Sequence, residues 1–222
     1  MRDEDAIAEY LFLMAPLDPS NFISVDETSS CRGTKLQCSS GRAPSGEDAV
    51  IWEFSIKNIQ FLVIAAYTPL GLKAWRIYGC TVAHDSLERF LLDDLSPIIT
   101  DSDIVILDNA SVHKTSTTLG VLHDVTNGGN YAFTPPYENR LAPIEHGFAN
   151  MWEEVRKHEH EAMISPMKVV HDAFTKYSII GSHGHVAKGH FNPYFRNHEE
   201  YVSQSSHRID SNIHNWANIQ NK

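Results

Sequence analysis

The apolar run Ile104-Val-Ile-Leu107 constrains the fold of this 222-residue chain more than any other feature of the sequence. The run contains no polar alternation, and it is followed directly by Asp108. Strands of this kind are typical of the centre of a sheet that is buried on both faces. The run therefore predicts an α/β fold in which helices pack on a mixed sheet.

Hydrophobic patterns on both sides of this run predict further strands and helices in a regular order. The strands are expected at residues 21–25, 50–56, 61–67, 72–78 and 131–133. The helices are expected at residues 1–16, 84–95 and 143–162, with a short one after residue 113. We expect a helical lead-in over residues 1–20, a main domain over 21–165, and a C-terminal helix and tail over 166–222. The tail is predicted to be loop-rich beyond about residue 180.

Charge and composition exclude several classes of protein. The chain has 18 Lys and Arg against 28 Asp and Glu, a net charge of −10. Tight nonspecific binding to DNA needs basic residues against the phosphates, so it is not expected, although an enzyme that acts on nucleic acid through metal ions remains possible. No apolar stretch approaches the ~20 residues of a membrane helix, and no secretory signal is present. Three cysteines without a C-x-x-C pair fit a reducing compartment, so we expect an intracellular protein with no membrane partner.

Three carboxylates stand at the ends of predicted elements. Asp26 ends the first strand, Asp108 ends the buried strand, and Glu145 lies in the first turn of the late helix. If the two strands are neighbours, Asp26 and Asp108 emerge side by side at one sheet edge, where the helix could add Glu145. Three converging carboxylates suit Mg²⁺ or Mn²⁺. Taken singly, each carboxylate is more typical of a loop or a helix cap.

Longer motifs around these carboxylates resemble a known family. The block Asp108-Asn-Ala-Ser-Val-His113, then Thr134-Pro-Pro-Tyr137 and Ala142-Pro-Ile-Glu145-His, is similar to the second and third catalytic blocks of mariner-type DDE transposases. Val25-Asp26-Glu-Thr28 resembles the first block, and Gly41-Arg-Ala-Pro-Ser-Gly46 the segment that follows it. The motifs occur in the family's order over about residues 20–160.

The resemblance implies a ribonuclease-H-like fold, a mixed sheet flanked by helices, with Asp26, Asp108 and Glu145 as the catalytic and metal-binding triad. Asp108 and Glu145 are 37 residues apart, close to the interval usual in the family. By resemblance, the triad holds two ions, Mg²⁺ or Mn²⁺, for in-line displacement at a DNA phosphodiester. The implied partner is double-stranded DNA at transposon ends, bound by a homodimer, with a nuclear location if the host is eukaryotic.

Three further residues are candidates for contacting the DNA substrate. Asn109 and His113 follow the second Asp, and Arg42 lies in the Gly-rich segment. The alternatives are a turn-capping Asn, a packed His and an exposed loop charge.

Glu27 is a possible substitute metal ligand, but successive strand residues point to opposite faces, so we expect it to face away from Asp26.

Two departures from the family pattern leave a rival function open. Residues 138–142 read Glu-Asn-Arg-Leu-Ala where the family usually has Ser-Pro-Asp-Leu-Asn, and only 25 residues precede Asp26, too few for the family's N-terminal recognition region. We therefore expect a catalytic domain without that region. The alternative is a catalytically inactive, domesticated protein that uses the fold as a binding module.

A third reading concerns the histidines of the C-terminal half. Their spacing suggests a zinc-binding segment, although a solvated tail is the simpler interpretation. These histidines are His158, His160, His183, His185 and His190.

Overall fold

Five strands form one mixed sheet in the computed structural model, which describes residues 4–30, 61–78, 85–136, 138 and 141–205. The strand order across the sheet is β3-β2-β1-β4-β5. β1 is antiparallel to β2 and parallel to β4, and β4 is also parallel to β5. The strands are β1 (Phe22–Ser30), β2 (Phe61–Thr68), β3 (Gly71–Tyr78), β4 (Ile104–Leu107) and β5 (Tyr131–Phe133). The α/β fold predicted from the buried run is confirmed.

Helices cover both faces of this sheet. They are α1 (Glu4–Met14), α2 (Ser86–Phe90), α3 (Ser116–Val125), α4 (Pro143–Lys157), α5 (Glu159–Ile164), α6 (Pro166–Lys176), α7 (Ala187–His190) and α8 (Asn192–Ser205). A π-helical turn, Leu91–Leu95, continues α2, and 3-10 turns lie at Pro19–Asn21, Ser111–Lys114 and Gly184–Val186. None of the described helices is long and apolar enough to span a membrane.

Strand alternation divides the interior into two hydrophobic cores. In β4, Ile104 and Ile106 belong to the core that α1 and α4 to α8 cover. Val105 and Leu107 belong to the opposite core, which α2 and α3 cover. All four residues of β4 are buried, as expected for a central strand between two helical layers.

The first strand is longer than the sequence pattern predicts. β1 continues to Ser30, so Asp26 lies inside the strand, opposite Ala65 of β2, and does not end it. Residues 26–30 are polar. They are extended because they pair with the apolar strand β2, and this pairing continues to Ser30, opposite Phe61. The parallel pairing with β4 stops earlier, at Ser24 with Ile106. The strand predicted at residues 50–56 lies outside the described residues.

The late helices also differ from the expectation. The helix predicted over 143–162 is interrupted at His158, between α4 and α5. The loop-rich tail predicted beyond residue 180 is wrong for residues 187–205, which form α7 and α8. Phe191 and Tyr194 explain this, because both are buried in the core shared with α1, and their burial stabilises an otherwise polar segment.

Candidate active site

The parallel register of β1 and β4 brings Asp26 and Asp108 to adjacent positions. Ser24 pairs with Ile106, and each aspartate stands two residues further along its own chain segment. Ile106 faces the α4 side of the sheet, and alternation along β1 puts Ser24 and Asp26 on the side of Phe22, which is the same side. The sequence placed Asp26 and Asp108 side by side on the condition that these two strands are neighbours, and β1 does pair with β4.

Asp26 is a nearly buried carboxylate, with 9% of the residue exposed. Its Oδ1 accepts a hydrogen bond from the backbone N–H of Glu27 at 2.7 Å. The pKa of Asp26 is raised to about 7, chiefly by burial. The negative charges of Glu27, Asp108 and Glu145 also raise this pKa, whereas the hydrogen bond from the Glu27 N–H lowers it. Asp108 and Glu145 are thus near enough to repel the Asp26 charge.

Asp108 is held in place by its own turn and by a histidine. Its Oδ1 accepts the Ala110 backbone N–H at 3.1 Å and lies 2.5 Å from Nδ1 of His113. This second contact pairs the Asp108 carboxylate with the His113 ring as a close ion pair. The His113 ring is buried, 2% exposed, and its Nε2 lies 3.1 Å from Oε2 of Glu27.

His113 therefore bridges two carboxylates that belong to different elements. Burial lowers the pKa of His113, but the Asp108 and Glu27 carboxylates more than offset burial and raise that pKa to about 10. The His113 ring in turn holds the pKa of Asp108 below its ordinary value. At neutral pH, a buried imidazolium thus fixes an ionised Asp108.

Glu145 approaches the same region from the first turn of α4. Pro143 opens this helix, and the helix N-terminus favours a carboxylate in its first turn. Glu145 and Asp108 line one pocket of about 310 Å³, together with Asn109 and Glu138. Glu138 is a fourth carboxylate, 4% exposed, in the loop where the sequence departs from the family pattern.

The carboxylates at this edge suit hard divalent cations, and two of their oxygens remain available. Asp26 and Asp108 each use Oδ1 for an anchoring backbone hydrogen bond, and within the described residues no contact engages their Oδ2 atoms. Mutual repulsion at Asp26 is the kind of strain that a bound cation relieves. No three His, Cys, Asp or Glu side chains of the described residues stand close enough to hold one ion together. The donor chemistry fits Mg²⁺ or Mn²⁺, and the final ligand distances would require side-chain movement.

The residues predicted for the site fall into three groups. Asp108, Glu145 and Asn109 line one pocket, and Asp26 lies outside its lining but within electrostatic reach of Asp108 and Glu145. His113 is buried between carboxylates, which favours a positioning role over contact with DNA. Arg42 lies outside the described residues.

Two carboxylates near the site, Glu27 and Glu138, were not among the site residues predicted from the sequence. Glu27 follows Asp26 in β1, so the two side chains point to opposite faces of the sheet, as expected. From its own face, Glu27 contacts His113. Glu138 was visible only as a departure from the family pattern. The signal available in the sequence was an acidic residue in the loop that leads into the helix of Glu145.

The C-terminal histidines do not form one cluster. His158 lies 3.5 Å from Glu154, and the rings of His183 and His185 stack near Tyr177. His190 instead lies beside His146 and Tyr67. Burial, and then the neighbouring His146, lower the pKa of His190.

Comparison with known structures defines the class of this fold. The catalytic domain of Mos1 mariner transposase matches with 13% identity and a TM-score of 0.53, over 90% of each chain. The same domain solved with raltegravir and Mg gives 14% identity and a TM-score of 0.55, over 96% of this chain and 99% of that one. At such identities the likeness shows the fold, which is the ribonuclease-H-like fold of transposase catalytic domains.

The family follows from the sequence itself. The profile of the DDE superfamily endonucleases matches residues 21–165, which is well over half of the chain, so the chain belongs to this family. A Mos1 transposase paired-end complex with the left transposon end matches with 14% identity and a TM-score of 0.57, over 91% of this chain. The chain spans 65% and 60% of the Mos1 chains in the first two complexes matched. Curated protein sequences give no significant match.

Proposed function

We propose that this chain is a transposase catalytic domain that cleaves DNA phosphodiester bonds, and joins strands, at Asp26, Asp108 and Glu145. The observation that carries the proposal is that Asp26 on β1 lies within electrostatic reach of Asp108, at the end of β4, and of Glu145, in the first turn of α4, in a chain of the DDE family. Two ions, Mg²⁺ or Mn²⁺, would activate the attacking water or 3′-hydroxyl and stabilise the leaving oxygen.

The residues of the chain divide the remaining tasks. His113 keeps Asp108 ionised and contacts its Oδ1, which leaves Oδ2 to serve as the ligand. Because its pKa is raised to about 7, Asp26 can hold a proton near neutral pH. It must release this proton before it can bind a cation. Asn109 lines the pocket and would donate a hydrogen bond to a DNA phosphate.

The proposed substrate is double-stranded DNA at transposon ends, bound by two copies of the protein. The support is the kind of complex in which the Mos1 matches were solved, namely a paired-end complex and a strand transfer complex. Sequence-specific recognition of the ends would come from a region beyond the part that the chain shares with Mos1. For a eukaryotic host, this substrate implies action in the nucleus.

A binding module without catalysis is the second candidate function. It is favoured by the separation of the carboxylates, since no three potential ligands of the described residues are close enough for one ion. The net charge of −10 points the same way. In this case the fold would be retained for a partner and the triad would have no chemical role.

Nicking of supercoiled plasmid DNA by the purified chain distinguishes the two functions. We expect nicking that needs Mg²⁺ or Mn²⁺, disappears with EDTA, and falls to background in Asp108→Asn. The matched control is Asp124→Asn, because the Asp124 side chain is 83% exposed on α3 and is remote from the pocket. Equal nicking by the wild type and Asp108→Asn, or none by either, would reject catalysis by this chain.

A further inference from the structure

Two histidines that are far apart in sequence have neighbouring rings. His146 lies on α4 and His190 ends α7, and their ring centroids are 5.5 Å apart. Two imidazoles bound to one zinc ion at ~2.0–2.1 Å, with a tetrahedral angle between them, have centroids about 5 Å apart. The spacing of this pair is therefore that of two ligands of one ion.

Asn150 supplies a third donor at the same point. It lies one helical turn after His146, so both side chains project from the same side of α4. Its amide nitrogen is 3.3 Å from Nε2 of His190. Rotation of the amide by half a turn would present Oδ1 in place of the nitrogen. Nε2 of His190 thus faces a group that can act as a metal ligand.

Tyr67 fixes the other nitrogen of His190. The Tyr67 hydroxyl lies 2.9 Å from Nδ1, and the Tyr67 side chain is fully buried in β2. Histidines that bind metals nearly always have the second ring nitrogen held by such a partner, which sets the ring orientation. The ion would then bind Nε2 of His190, in place of the contact of Nε2 with the Asn150 amide nitrogen.

The other described histidine pair lacks these features. His183 and His185 have centroids 6.3 Å apart, farther than two imidazoles bound to one tetrahedral ion. The ring of His183 packs against Tyr177, and no partner of comparable burial orients His185 within the described residues. This pair serves as an internal comparison for the first.

We propose that His146, His190 and Asn150 bind a zinc ion, or another ion that prefers imidazole, at a site separate from the carboxylate pocket. Imidazole ligands select Zn²⁺, Ni²⁺ or Cu²⁺ over Mg²⁺, so the two sites take different metals. His146 directly follows Glu145 in α4. The ion would join α7 to α4 one residue from the proposed catalytic glutamate.

Calorimetric titration of the full chain with Zn²⁺ tests the proposal. Excess Mg²⁺ in the buffer occupies the hard-oxygen sites, so that Zn²⁺ reports on the histidines. We expect one saturable site whose affinity falls at least about tenfold in His146→Ala and in His190→Ala. Tyr67→Phe should weaken it by about tenfold through the orientation of His190. The double variant His183→Ala, His185→Ala should keep the wild-type affinity.

Folding of each variant is checked by circular dichroism before titration. His146 is exposed, so His146→Ala decides the test even where His190→Ala does not fold. Wild-type zinc affinity in His146→Ala would overturn the proposal. Loss of the site in the His183→Ala, His185→Ala variant would overturn it too, by placing the ion at the other pair.

Discussion

At the scale of single residues, burial and the neighbouring negative charges destabilise the ionised form of Asp26. Its pKa of about 7 in the folded chain lies above the ~3.9 of an unfolded aspartate, so the folded state binds the proton more tightly. The contribution of Asp26 to the stability of the metal-free protein therefore falls as pH rises between about pH 4 and 7. We expect Asp26→Asn to raise the melting temperature by a few degrees at pH 8 in EDTA, and to change it little at pH 4.

Thermal unfolding with and without Mg²⁺ checks this expectation. Mg²⁺ should stabilise the wild type at pH 8 and leave Asp26→Asn unaffected, because only the wild type has the full set of carboxylates. Asp124→Asn should behave as the wild type. A lower melting temperature of Asp26→Asn at pH 8 in EDTA would contradict the assignment of a strained carboxylate.

His113 provides a second test at this scale. His113→Gln keeps a polar side chain of similar length but removes the buried positive charge between Glu27 and Asp108. We expect a loss of about 1–3 kcal/mol in the free energy of unfolding, measured in urea. Nicking should slow through kcat with little change in KM for DNA, since the ring positions Asp108 and does not contact the substrate. A variant with raised KM and unchanged kcat would instead point to DNA contact.

At the scale of elements, helix α8 supports the entry to α4, the helix that carries Glu145. The buried Tyr194 hydroxyl donates a hydrogen bond to the Leu141 carbonyl at 2.7 Å, two residues before α4 begins. The same hydroxyl lies 3.0 Å from that of Tyr10 on α1. One phenol therefore connects both ends of the described chain to the segment that places Glu145.

Removal of this hydroxyl should destabilise the fold. Tyr194→Phe leaves the Leu141 carbonyl and the Tyr10 hydroxyl each without this buried partner, and we expect a loss of about 1–3 kcal/mol in the free energy of unfolding. Tyr201→Phe is the matched control, because Tyr201 lies on the same helix and is only partly buried. Equal stability of the two variants in urea would show that the hydroxyl does not support α4.

Elements with a strong local pattern could be predicted, and those that depend on distant contacts could not. β4 was evident from four consecutive apolar residues, all of which are buried. The extension of β1 to Ser30 depends on β2, and α8 depends on a few aromatic residues that pack against α1. In the candidate site, the sequence predicts the three carboxylates, whereas the contact of Glu27 with His113 spans 86 residues and leaves no local pattern.

At the scale of the whole molecule, the two ends of the described chain pack together. Asn197 on α8 donates a hydrogen bond to the Leu11 carbonyl, and His198 donates one to the Ala15 carbonyl. α1 and α8 thus share one core with α4 and the sheet. The net charge of −10 also belongs to this scale, since an acidic protein needs cations between its carboxylates and DNA phosphates.

Manganese binding, counted by electron paramagnetic resonance, tests the central claim that three distant residues form one divalent-metal site. The account predicts that the wild type binds Mn²⁺ in competition with Mg²⁺. Asp26→Asn, Asp108→Asn and Glu145→Gln should each weaken binding at least about tenfold, and Asp124→Asn should not. Undiminished Mn²⁺ binding in the three triad variants would contradict the account, because the carboxylates would then be neighbours without a common ion.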